Sequence, residues 1–118
     1  SHGMKQKLLI AASLIHQPEL WILDEPIVGL DPQSAFRLKT LMRSYADSGK
    51  TVFFSTHIME IAEKVCDKLA IINKGQMLFC GSLSELREQR AAGGTNDSLE
   101  HLFLTMTETA DSNAAPHL

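Results

Sequence analysis

Leu20-Trp21-Ile22-Leu23-Asp24-Glu25-Pro26 decides how the rest of the chain is read. Four consecutive apolar residues are the mark of a strand buried on both faces, and Asp24-Glu25-Pro26 ends that run abruptly. Upstream, Met4, Leu8, Ala11, Ala12 and Ile15 recur at three- and four-residue steps, which predicts a helix over 4–16 closed by Pro18. Downstream, Asp31-Pro32 starts a helix with a carboxylate N-cap and proline at the first helical position. Ala35, Leu38, Leu41, Met42 and Tyr45 give that helix its apolar face, and Gly49 its stop. Thr51-Val52-Phe53-Phe54-Ser55 is a second β-rich run leading straight to Thr56-His57. Ile58, Ile61, Ala62 and Val65 mark a third helix, and Leu69-Ala70-Ile71-Ile72 a third strand. Asn73-Lys74-Gly75-Gln76 turns the chain into a returning strand over 77–80, a hairpin. Ser82-Leu83-Ser84-Glu85 has the capping-box pattern of a short helix reaching Arg90. Residues 91–95 read as a loop, and Leu99, Leu102, Phe103 and Met106 form a last amphipathic stripe. Residues 109–118 are small, polar and unpatterned, and a disordered tail is expected there. Strands alternating with helices define an α/β fold, a three-layer sheet that is largely parallel with a C-terminal hairpin.

The 118 residues suit one small domain with one core. Eleven basic against fourteen acidic residues give a net charge of −3, which offers nothing to nucleic acid or to an anionic membrane surface. The longest apolar stretch, residues 8–15, is interrupted by Ser13 and is too short to span a bilayer, and no signal peptide opens the chain. Cys66 and Cys80 lack any metal-binding spacing and are expected to be buried free thiols in a reducing cytosol.

In a parallel sheet with right-handed crossovers the strand C-termini share one edge, and ligands bind in the crevice outside it. Two strands here end in polar residues: one at Asp24 and Glu25, the other at Ser55, Thr56 and His57. Pattern alone therefore lines two carboxylates and a histidine along one rim. Of two adjacent carboxylates, one can take a hard cation such as Mg²⁺ while the other orients or deprotonates a water. A solvated turn at Asp24-Glu25-Pro26, and a helix-cap or satisfied polar residue for His57, are the plain alternatives.

These residues resemble the ATP-binding cassette (ABC) ATPases. The stretch from Leu20 to Pro26 looks like their Walker B motif, Gly29-Leu30-Asp31-Pro32 like the D-loop, and Ser55-Thr56-His57 like the H-loop. Ser1-His2-Gly3-Met4, followed by Lys5-Gln6-Lys7, looks like the signature motif. The four elements keep the family's order over about residues 1–90. The resemblance implies a P-loop NTPase (RecA-like) fold and ATP with Mg²⁺ as ligands. Asp24 would help hold Mg²⁺ through water, Glu25 would be the general base, and His57 would contact the γ-phosphate. Asp31 would communicate across a nucleotide-sandwiched dimer. Ser1, His2, Gly3 and Met4 would meet the γ-phosphate of ATP held by the opposite subunit, at a helix N-terminus suited to an anion.

Two positions depart from the pattern: His2 stands for the usual glycine and Met4 for the usual glutamine. No Gly-x-x-x-x-Gly-Lys-Ser/Thr run occurs anywhere. The expectation is the C-terminal half of a nucleotide-binding domain that lacks the P-loop strand and is inactive alone. Residues 1–17 would end its helical subdomain and 18–108 would be the second half of its ATPase core. Two strand edges would then lack partners, with either direct closure of the gap or dimerisation as the outcome. The implied setting is a peripheral subunit on the inner face of the cell membrane. It would pair with a second nucleotide-binding subunit, homo- or heterodimeric, and dock on separate transmembrane permease subunits. The pattern over residues 81–104 looks like exporter-type subunits, including drug exporters. A DNA-repair or translation ATPase and a catalytically silent interaction module are the alternatives.

Overall fold

The computed structural model describes residues 2–90 and 98–114, without the side chains of His2 and of 110–114. The length suggests one core; the chain instead divides into two compact units, Ser1–His57 and Ile58–Leu118.

The first unit runs α1 (His2–Ser13), β1 (Leu20–Asp24), α2 (Pro32–Asp47) and β2 (Thr51–Ser55). Helix α1 ends earlier than its periodicity predicts, because residues 14–17 tighten into turns. The amide of Leu14 donates to Ala11 O and that of Gln17 to Leu14 O, and Gln17 takes φ +48°. Strands β1 and β2 are parallel, with Trp21 opposite Val52 and Asp24 opposite Ser55. Helix α2 crosses between them and packs on β2, turning Leu38 and Met42 inward. Side chains alternate faces along a strand, so Trp21 and Leu23 are buried while Ile22 stays 63% exposed and Phe53 65%. Strand β1 is thus buried on one face, not on both as its unbroken apolar run suggests. Trp21 fixes the layer. Its indole N–H donates to Ser13 Oγ (2.8 Å), and its ring meets Tyr45 edge-on at 5.3 Å. The Tyr45 hydroxyl in turn donates to the carbonyl of Pro18.

The second unit holds α3 (Met59–Val65), the antiparallel pair β3 (Leu69–Asn73) and β4 (Gln76–Gly81), α4 (Leu83–Arg90) and α5 (Leu99–Ala114). Lys74 and Gly75 both have positive φ, as a two-residue hairpin turn of matching twist requires. Ile71, Leu86, Leu99, Leu102 and Met106 form the core. The capping box closes reciprocally: Ser82 N donates to Glu85 Oε1 (3.0 Å) and Glu85 N to Ser82 Oγ (3.1 Å). The amide and hydroxyl of Ser82 hold the Glu85 carboxyl below its ordinary pKa. From α3, Glu63 Oε1 accepts the Leu99 amide at the start of α5 (2.6 Å) and lies 3.7 Å from Arg87 Nη2 of α4.

Two expectations change here. Cys80 is exposed and Cys66 only half-buried; the period of two puts Cys80 beside its exposed partner Ala70, on the face opposite Ile71. Helix α5 runs to Ala114, past the onset of the expected tail, because no glycine or proline interrupts it. Residues 115–118, and the loop expected over 91–95, lie outside the described residues. The expected strand pattern is present: among the described residues β1 and β2 pair in parallel and β3 and β4 form the antiparallel hairpin. Each pair is joined locally, β1–β2 by a crossover helix and β3–β4 by a tight turn.

Candidate active site

Parallel register brings the two strand ends level, and their polar residues meet. Ser55 Oγ donates to Asp24 Oδ1 across the pair. One residue on, the Glu25 amide is shared between Ser55 O (3.0 Å) and Ser55 Oγ (3.1 Å). Glu25 adopts φ +47°, a left-handed conformation that costs a non-glycine residue about 1–3 kcal/mol. The bifurcated bond offsets part of this, and the kink carries the Glu25 side chain off the strand line. Its Oε1 then lies 2.7 Å from Nδ1 of His57. An ionised carboxylate only accepts, so Nδ1 bears the proton in this pair. Glu25 Oε2 is buried without a hydrogen-bond partner, a costly state for a carboxylate oxygen. The capping alternative for His57 falls away, since the N-cap of α3 is Ile58.

The loop after β1 is tied back to α1. Gln6 Nε2 donates to Pro26 O (3.1 Å), and Lys7 Nζ lies 3.6 Å from Asp31 Oδ1. A Cβ on Gly3 would sit 3.2 Å from Gly29 O, so the helix passes this loop closely and a larger residue there would need the loop to shift by a few tenths of an ångström. Asp31 caps α2: Ser34 N donates to Oδ2 (3.1 Å) and Ser34 Oγ to Oδ1 (2.7 Å). These bonds, with Lys7 nearby, hold its carboxyl down to about 2 from 3.8. Of the residues assigned to the signature motif, Gly3 and the exposed Met4 lie in the first turn of α1 with His2. Ser1 lies outside the described residues. Sequence reasoning placed Ser55 at a strand end on the rim and Gln6 behind the signature motif, but not the contacts of Ser55 with Asp24 and Glu25 or of Gln6 with Pro26.

Among the described residues, no cluster of three or more metal-ligating side chains occurs. Mg²⁺ suits this sparse donor set, because it keeps several waters and takes one or two carboxylates beside phosphate oxygens. Asp24 is exposed and commits one oxygen to Ser55, leaving Oδ2 for a cation or its water.

The parallel pair with its crossover helix and the antiparallel hairpin match part of a P-loop NTPase fold. A family model described as "AAA domain, putative AbiEii toxin, Type IV TA system" matches residues 1–63, and the chain belongs to this AAA-type family. Over most of its length it is similar to ABC transporter ATP-binding proteins. It is 41% identical to the ABC-type transporter ATP-binding protein EcsA of Bacillus subtilis (strain 168), over 92% of this chain and 43% of that protein. It is 43% identical to the Nod factor export ATP-binding protein I of Ralstonia nicotianae, over 73% of this chain and 27% of that protein. A solved ATP-binding subunit of an ABC transporter superposes with a TM-score of 0.83 at 36% identity, over 91% of this chain and 44% of that one. The chain therefore spans less than half the length of these relatives.

Proposed function

We propose that the chain supplies the hydrolytic rim of the ATP-hydrolysing subunit of an ABC transporter. The observation that carries this is Glu25, held against His57 through Oε1 with Oε2 buried and unpaired. A general base needs an acceptor not already engaged, and Oε2 is one. Glu25 takes the proton of the attacking water, and His57, which orients that carboxylate, contacts the γ-phosphate. Mg²⁺, held through Asp24, would neutralise charge on the phosphate oxygens. Gly3 and Met4, with Ser1 and His2, face the nucleotide of a second subunit, and Asp31 serves that subunit boundary from the cap of α2. In this account residues 1–17 end a helical subdomain and 18–108 form the second half of the ATPase core.

Hydrolysis is coupled to transport, with export favoured by the Nod factor export relative; the transporter names of the relatives speak against repair or translation. Among the described residues no helix is long and apolar enough to cross a membrane, which supports docking on separate transmembrane subunits from the cytoplasmic side. Among the described residues each sheet has two strands, and their open ladder groups support self-association of the isolated chain. The coding sequence upstream of Ser1 tests the proposal. It is expected to hold, in frame, a Gly-x-x-x-x-Gly-Lys-Ser/Thr motif within about one domain length. A start codon immediately before Ser1 would overturn it.

A further inference from the structure

We propose that Ser55 is a positioning residue that presets both carboxylates of the rim through one hydroxyl. The proposal rests on the ATPase function argued above. The geometry fixes the polarity of the contact. A serine hydroxyl has a single proton, and the Glu25 amide can only donate. Ser55 Oγ must therefore accept from Glu25 N (3.1 Å) and place its own proton on Asp24 Oδ1. Two consequences follow. Asp24 is held by Oδ1, which leaves Oδ2 for a cation or its water, so the carboxylate meets the cation in one orientation and not as a free rotor. Glu25 is held in its left-handed conformation by the same oxygen, and that conformation sets the 2.7 Å approach to His57. The backbone carbonyl of Ser55 also accepts the Glu25 amide (3.0 Å), so losing the hydroxyl leaves the strand pairing intact while releasing the Asp24 carboxylate. Ser55 is exposed, so a larger side chain finds room there, and β-branched residues suit a strand.

The test uses Ser55→Thr and Ser55→Val in the intact protein that carries this chain, two substitutions of the same shape that differ in the hydroxyl. The first readout is the affinity for Mn²⁺–ADP, followed by water-proton relaxation; the second is the Mg²⁺ concentration giving half-maximal ATP turnover. Melting temperature serves as the packing control. Loss of an oriented outer partner typically weakens metal binding about 10–100-fold. Ser55→Val is expected to weaken Mn²⁺–ADP binding by about tenfold and to raise the Mg²⁺ requirement in parallel. Ser55→Thr is expected to stay near wild type, with similar melting temperatures for both. Equal Mn²⁺–ADP affinity for the two variants would overturn the role of Ser55 while leaving the ATPase function standing. A wild-type protein that neither binds Mn²⁺–ADP nor turns over ATP would remove that function, and this inference with it.

Discussion

At the scale of single residues, the account turns on which side-chain oxygens are engaged. Asp31 has both occupied by Ser34, and the resulting depression of its pKa fixes a pH dependence. A carboxyl lowered from 3.8 to about 2 on folding stabilises the native state above pH 3.8, and that contribution is lost as pH falls through about 2. Asp31→Ala is therefore expected to lower the melting temperature at neutral pH and to shrink the difference toward pH 2. A deficit that stayed constant down to pH 2 would contradict the charge argument. Glu25 is the converse case, with one oxygen on His57 and one unpaired. The sequence placed Asp24, Glu25 and His57 on a common rim, because strand ends and crossover handedness follow from pattern. The Ser55 bridge was not legible, since it depends on register, and periodicity does not specify which residues of two strands stand opposite each other.

At the scale of elements, local chemistry was the most readable. The Asp31-Pro32 start of α2, the Ser82–Glu85 capping box and the Lys74-Gly75 turn each rest on residues within a few positions of one another, and each forms. What periodicity missed was decided by neighbours or by turns. The end of α1 is set by turns over 14–17, and β1 is buried on one side because α2 covers only that side. In the second unit Leu86 is fully buried among Ile71, Leu99, Leu102 and Met106, where it joins α4 to the hairpin and α5. Leu86→Ala is expected to destabilise this unit by about 2–5 kcal/mol, measured by urea denaturation. A change well below 1 kcal/mol would show that α4 does not anchor the core.

At the scale of the whole molecule, the chain matches ABC transporter ATP-binding proteins over most of its own length and under half of theirs. The face of β1–β2 bearing Leu20, Ile22 and Phe53 stays exposed, which the composition did not foretell because an apolar run reads the same whether one layer covers it or two. The most direct measurement is Mg²⁺-dependent ATP turnover by the intact protein carrying this chain, wild type against Glu25→Gln. With Glu25 as general base, kcat is expected to fall by about 10²–10⁴, at little change in KM. Turnover by Glu25→Gln within about twofold of wild type, far short of what a general base contributes, would contradict the account.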